Sequence, residues 1–281
     1  MSLIMDKIIG ILMTFYRKSP FHSQKNGAFL AKMLSFYLLS KNKKIEIKNI
    51  KGISYELDLS EIIDVSLYFS DTFEKPEEII IENYLKPGMT AFDIGANFGY
   101  HTFRMASLVN PSGKVFAFEP TAWAFDKFKR NLKLNPSINN IFYFNIGLSD
   151  NDSEDVKNTF QSSYRIDGNK TITHENISLY RVDTFVRENK INRLDFIKMD
   201  VDGYEGKVIK GAKNTIRTFK PKILFEFNPS LIISYGDDPQ ELINTLLSLG
   251  YEFRNNFGKI IPDLSNFIAN NNSLMIFGTV K

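Results

Sequence analysis

The 281-residue sequence predicts an α/β fold, a doubly wound, Rossmann-like and mostly parallel seven-stranded sheet with an antiparallel last strand, preceded by an N-terminal helical arm and a β-hairpin. Three observations predict it. From residue 90 onward, short apolar runs alternate with amphipathic helical segments. Residues 89–100 read as a buried strand running into a glycine turn and then a helix. The two final strand-like runs follow one another without a convincing helix, which suits an antiparallel hairpin at the sheet edge.

The elements follow in chain order. Residues 1–43 form a basic, apolar arm in which Ile4, Ile8, Ile11, Leu12 and Phe15, then Phe29, Leu30, Met33, Leu34, Tyr37 and Leu38, recur at helical spacing. Neither run reaches the ~18 uncharged residues of a spanning helix. It is no secretory signal either, because Asp6 and Lys7 interrupt the apolar stretch and no small-residue cleavage site follows. A helical pair packed on the body or in a homo-oligomer interface is expected, with a peripheral membrane anchor as the alternative. Residues 44–75 give a hairpin and a connecting segment, the strands Lys44 to Ile50 and Ile53 to Leu59 alternating around Lys51-Gly52. The main domain spans 76–281. It opens with a helix over Glu77 to Leu85, stopped by Pro87-Gly88. Strands are expected at Thr90 to Ile94, Lys114 to Glu119, Ile141 to Ile146, Asp195 to Asp200, Lys222 to Phe227, Tyr251 to Asn255 and Ser273 to Thr279. Helices are expected at His101 to Val109, Thr121 to Leu134, Glu205 to Lys210 with a continuation to Thr218, and Pro239 to Leu249. The polar stretch Asn151 to Asn176, with turn signals at Asp150-Asn151-Asp152 and Asp167-Gly168-Asn169, reads as a long insertion near the ligand side.

Composition narrows the function. With no cysteine, disulfides and thiolate metal sites are excluded, and three histidines make a histidine-rich zinc site unsuitable. The net charge of +3 divides unevenly: residues 1–51 carry ten Lys or Arg against Asp6 and Glu46, or +8, which leaves −5 on the rest. An acidic body of this kind predicts no nucleic-acid partner. Nothing indicates an oxidising compartment, so a cytoplasmic protein is expected, peripheral at the membrane if the arm is an anchor.

Ligands of parallel α/β sheets sit beyond the carboxyl ends of the strands, so the residues there are the candidates. The first end carries Asp93 and the turn Gly95-Ala96-Asn97-Phe98-Gly99, followed by Tyr100. A carboxylate at Asp93 suits a ligand with positive charge, and S-adenosylmethionine, with its ammonium and sulfonium and no phosphate, fits. The second end is Phe118-Glu119-Pro120, where Glu119 can accept from both hydroxyls of a ribose or else charge the start of the next helix. The third, Asn145 to Asp150 around Gly147, offers an apolar slot for an adenine ring or an ordinary strand exit. At the fourth, Asp200, Asp202 and Glu205 lie within six residues and repel unless they share a cation, a proton or a polar substrate. The fifth adds Glu226 and Asn228. Asp200, Asp202, Glu226 and Asn228 are the oxygen ligands Mg²⁺ would use; that ion is possible there but not expected.

In this order, Leu85-Lys86-Pro87-Gly88, Phe92-Asp93-Ile94-Gly95-Ala96-Asn97-Phe98-Gly99-Tyr100-His101-Thr102, Phe118-Glu119-Pro120, Lys198-Met199-Asp200-Val201-Asp202-Gly203-Tyr204-Glu205 and Leu224-Phe225-Glu226 resemble the motif series of the FkbM family of S-adenosylmethionine-dependent methyltransferases. The resemblance covers residues 53 to 279. It implies a class I methyltransferase fold and methylation of a hydroxyl, on a sugar, glycan or secondary metabolite. Where family members commonly have Val-Glu-Gly, this chain has Val201-Asp202-Gly203.

Methyl transfer from a sulfonium is an in-line displacement, so alignment carries much of the catalysis, and the acceptor hydroxyl must also lose a proton. Asp200 or Glu226 is the expected assisting group; His101, in the first turn after the glycine loop, is a third candidate that packing alone can also explain. The acceptor is expected to be a small molecule or glycan, shaped by residues 151–176 and 228–239, with Trp123, Tyr204 and Tyr235 available to stack on a sugar ring. Two other classes compete. A nicotinamide-dependent oxidoreductase expects Gly-x-Gly-x-x-Gly, whereas Asn97 and Tyr100 occupy the second and third glycine positions. A non-catalytic protein would use the basic arm to hold a membrane surface or anionic polymer.

Overall fold

A computed structural model describes residues 44–165, 170–255, 258–270 and 273–280. The helical, oligomeric and membrane expectations for residues 1–43, and the turn at Asp167-Gly168-Asn169, lie outside the described residues. Among the described residues no helix is long and apolar enough to cross a membrane. The chain divides into two compact units, one containing the residues up to Lys75 with Arg130–Asn135 and Thr159–Thr173, the other Pro76–Lys129, Pro136–Asn158 and His174–Lys281.

In the smaller unit, β1 (Ile45–Ile50) and β2 (Ile53–Asp58) pair antiparallel with Ile50 opposite Ile53. Lys51 and Gly52 turn the chain with φ of 52° and 86°, the doubly left-handed geometry that matches the twist of a two-residue hairpin. The connecting segment is helical: α1 spans Ile62–Ser70 and closes on Asp71. Lys48 bonds the Tyr68 carbonyl and pairs with Asp71, tying β1 to the end of α1.

The remaining helices are α2 (Lys75–Tyr84, beginning at the boundary), α3 (Tyr100–Val109), α4 (Ala122–Leu134, whose residues from Arg130 onward belong to the smaller unit), α5 (Val182–Glu188), α6 (Glu205–Gly211), α7 (Lys213–Phe219), α8 (Pro229–Ser234), α9 (Pro239–Ser248) and α10 (Ser265–Ala269). The central sheet of the larger unit is built from β3 (Thr90–Ile94), β4 (Lys114–Phe118), β5 (Ile141–Phe144), β9 (Phe196–Met199), β10 (Lys222–Phe227), β11 (Tyr251–Asn255) and β12 (Leu274–Val280). The order across the sheet is β11-β12-β10-β9-β3-β4-β5, with β12 antiparallel to both neighbours and the β10-to-β5 block parallel. This is the expected architecture, with the sense of β12 reversed as the sequence predicts.

Every residue of β3 is buried, as parallel strands covered on both faces require. Phe92, Phe116, Phe118 and Phe144 surround Phe185 of α5 on one face, each ring meeting it edge-on at centroid distances of 4.8 to 6.2 Å. On the other face Ala91, Val115 and Leu224 pack with Ile80 and Ile81 of α2 and Met105, Ala106 and Val109 of α3.

The polar stretch expected as an insertion is built of strands: β7 (Ser153–Tyr164) and β8 (Lys170–Arg181) join β6 (Gly147–Ser149) in a three-stranded sheet ordered β6-β8-β7. Three expectations are corrected. The strand expected to run to Ile146 stops at Phe144, because residues 147–149 leave the central sheet to pair with β8. Ala212 divides the segment after Glu205 into α6 and α7. A short helix, α10, stands between β11 and β12.

Candidate active site

The winding reverses between β3 and β9: β4 and β5 are laid to one side of β3, β9 and β10 to the other. In parallel α/β sheets the ligand site lies beyond the carboxyl ends of the strands at such a reversal. Here the exits of β3 and β9 touch. The Asp200 amide donates to the Ile94 carbonyl at 3.0 Å, and a Cβ on Gly95 would lie 1.8 Å from the Asp200 carbonyl oxygen. Gly95 also has φ of +78°, so both space and backbone geometry call for glycine.

The turn is braced from β4. The amides of Gly95 and Ala96 both donate to the Phe118 carbonyl at 3.0 Å. Glu119, just past β4, accepts from the Asn97 amide at Oε2 (2.9 Å) and from the Thr121 amide and hydroxyl at Oε1 (2.9 and 2.6 Å). Of about four lone-pair directions on a carboxylate, one on Oε2 is left for a ligand. Burial pushes the Glu119 carboxyl up, against the pull of those hydrogen bonds. Asn145 donates its side-chain amide to the carbonyls of Glu119 and Pro120 at 2.8 and 2.9 Å, locking the second and third strand ends together. Gly147 lies buried beside Leu179 and Pro120, where the apolar slot is expected.

Asp93 is deeper than the sequence suggests. Its carboxylate is fully buried, accepts from the Thr102 hydroxyl at 2.6 Å, and stands 3.9 Å from the ammonium of Lys198. Asp93 and Lys198 are direct cross-strand partners in the β3–β9 register. Lys198, itself buried, reaches Asp200 at 3.5 Å as well, so one ammonium serves the acids of both strand exits. Burial raises the proton affinity of Asp93, with Lys198 the strongest opposing influence. No signal in the sequence separated Lys198 from the acids around it except its position inside an apolar strand. Tyr100 turns its hydroxyl to buried Glu78, and His101 is buried with its ring edge-on to Tyr100 at 5.1 Å.

Asp200, Asp202 and Glu226 come together: one carboxylate oxygen from each lies within 4.8 Å of the others. Asp202 holds a left-handed φ of 50°, and burial with the charge of Asp200 raises its proton affinity. Ser273 donates to Glu226 Oε1 at 2.8 Å and orients it. The Asn228 side chain accepts from the Leu231 amide and caps α8, a helix where the sequence predicts a loop. Tyr204 and Tyr235 form a tilted pair with centroids 4.5 Å apart.

Glu205 opens α6 but is more than a helix-terminal acid. It is 1% exposed, and its Oε1 accepts from the Val201 amide at 3.1 Å. Burial, helped by the charges of Asp200 and Glu226, pushes its carboxyl up to about 8 from 4.5. The native state therefore keeps a proton that the unfolded chain sheds near pH 4.5, and the stability this supports is full below that pH and lost as the pH rises through about 8. Glu205→Gln is expected to remove this dependence, melting above the wild type beyond pH 8 in chelating buffer, by up to a few kcal/mol. Parallel pH–Tm curves would contradict it.

Residues 93–253 match the model of the methyltransferase FkbM domain. The chain belongs to the methyltransferase FkbM family. A hexuronic acid methyltransferase, AglP of Haloferax volcanii, is 26% identical over 162 residues, covering 55% of this chain and 60% of that protein. The methyltransferase sdnD of Sordaria araneosa is 26% identical over 153 residues, 43% of this chain and 59% of that one. The chain thus matches about three fifths of the length of these curated relatives. A crystal structure of an FkbM methyltransferase from Methylobacillus flagellatus KT superposes with a TM-score of 0.46 at 16% identity, over 93% of this chain and 62% of that one. FkbM membership speaks against the nicotinamide oxidoreductase reading.

Proposed function

We propose that this FkbM protein transfers the methyl group of S-adenosylmethionine to a hydroxyl of a sugar, glycan or secondary metabolite. The observation that carries the reading is the bond from Glu119 to the Asn97 amide, which holds a carboxylate at the rim of the glycine turn where a cofactor ribose would lie. Glu119 would hold the cofactor ribose, Gly147 and Pro120 would line the side for the adenine, and the Asp93–Lys198 pair would support the amino-acid portion. When bound, the cofactor would supply the methyl group, and Asp200 or Glu226, on the β9 and β10 side, would take the acceptor's hydroxyl proton. AglP is named for a hexuronic acid, which supports a glycan acceptor.

Calorimetry with S-adenosylhomocysteine, followed by transfer of labelled methyl to cell extracts and identification of the product, tests the reading. Absence of both binding and transfer overturns it. Glu119→Ala is expected to weaken S-adenosylhomocysteine binding by about 1.5–3 kcal/mol, roughly 10- to 100-fold, the worth of a hydrogen bond to a charged group. An unchanged Kd would remove Glu119 from the cofactor site.

A further inference from the structure

We propose that Asp200, Asp202 and Glu226 bind a divalent, oxygen-seeking cation, with the buried Glu205 carboxyl beside the cluster. The three side chains project from two adjacent parallel strand exits, and one oxygen of each lies within 4.8 Å of the others. Oxygen ligands on opposite sides of Mg²⁺ are about 4.2 Å apart and those of Ca²⁺ about 5 Å, so the cluster has the span of such a shell. The donors are all carboxylate, which selects hard ions over soft ones.

Glu205 supplies an independent indication. Its Oε2 is buried without a hydrogen-bond partner, while its Oε1 is held by the Val201 amide between Asp200 and Asp202 in the chain. Asp200 and Glu226 both stand near enough to act on its charge. A buried carboxyl oxygen left unbonded costs about 1–3 kcal/mol, a cost that an ion or its bound water would relieve. Lys198 does not meet the need alone, because its single charge is shared between Asp93 and Asp200. Ser273 fixes Glu226 from outside, as outer partners of metal ligands do.

Ion binding concerns this chain's own residues and holds whether or not the methyltransferase reading does. Its use in the reaction, to bind and acidify the acceptor hydroxyl, rests on that reading. The experiment titrates Mn²⁺ into the chelator-stripped full-length protein, following the free-ion signal by electron paramagnetic resonance, with S-adenosylhomocysteine binding measured separately. A single saturable class of site is expected, displaced by Mg²⁺ or Ca²⁺. Asp202→Asn and Glu226→Gln are expected to weaken it by about 10- to 100-fold and Glu205→Gln by about tenfold, with circular dichroism confirming the fold. Tb³⁺ gives an answer without variants, since Tyr235 stands close enough to Asp202 and Glu205 to feel their charges and would sensitise its luminescence. No saturable Mn²⁺ or Tb³⁺ binding by the folded wild type, or equal Mn²⁺ affinity in folded variants, overturns the site. Failure of S-adenosylhomocysteine binding alone bears on the cofactor instead.

Discussion

Gly95→Ala is expected to destabilise the protein by about 3 kcal/mol, lowering Tm by roughly 10 °C, and to cost cofactor affinity as well. Two penalties add. A left-handed φ of +78° is unfavourable for any side chain, and the new methyl would meet the Asp200 carbonyl oxygen at 1.8 Å, which only a backbone shift relieves. Gly52→Ala is the control, because φ is +86° there and no atom lies within 4 Å of the added Cβ. It is expected to lose about 1 kcal/mol, the conformational part alone. Thermal melts of the two variants decide the matter, and equal losses would mean that the contact between the β3 and β9 exits is not a constraint.

Glu226→Gln is expected to lower the kcat of methyl transfer by about 10² to 10⁴-fold, the usual worth of a positioned proton acceptor. S-adenosylhomocysteine affinity should hardly move. Glu226 lies on β10, with β9 between it and β3, and strands are about 4.8 Å apart, so it stands about 10 Å from the glycine turn. Asp200→Asn serves as the comparison, since Asp200 borders both the turn and the acid cluster and should alter binding and rate together. If Glu226→Gln weakens binding and leaves kcat intact, the direction of the site from cofactor to acceptor is wrong.

The central sheet was legible because its parallel strands are buried on both faces and stand out as apolar runs; β3, β10 and β11 have the bounds read from the residues. What escaped reading lacked that contrast. The segments of β7 and β8 are rich in polar residues, and only a short alternation at Ile177 and Leu179 marks them. Helix α5 follows β8 directly at Val182 with no glycine or proline between, and the cap of α1, Glu61, makes no side-chain bond that would announce a start. At the site, residue types at strand ends identified the acids. Their partners needed tertiary structure: the Asp93–Lys198 pairing depends on the register of strands far apart in the chain, and the burial of Glu205 on what packs over the start of α6. The capping of α8 by Asn228 was not legible either, because an amide that caps a helix and one that faces a ligand look alike in a sequence.

The lysine shared between Asp93 and Asp200 ties two motifs into one inherited unit. Losing either partner of a buried ion pair strands the other charge at about 3–5 kcal/mol, a large share of the roughly 5–15 kcal/mol by which a domain is stable. Divergence at position 93 or 198 therefore has no gradual route, and a lineage that abandons the acid must abandon the base in the same step. Glu226 stands on the neighbouring strand β10, so a change there leaves both members of this electrostatic lock in place.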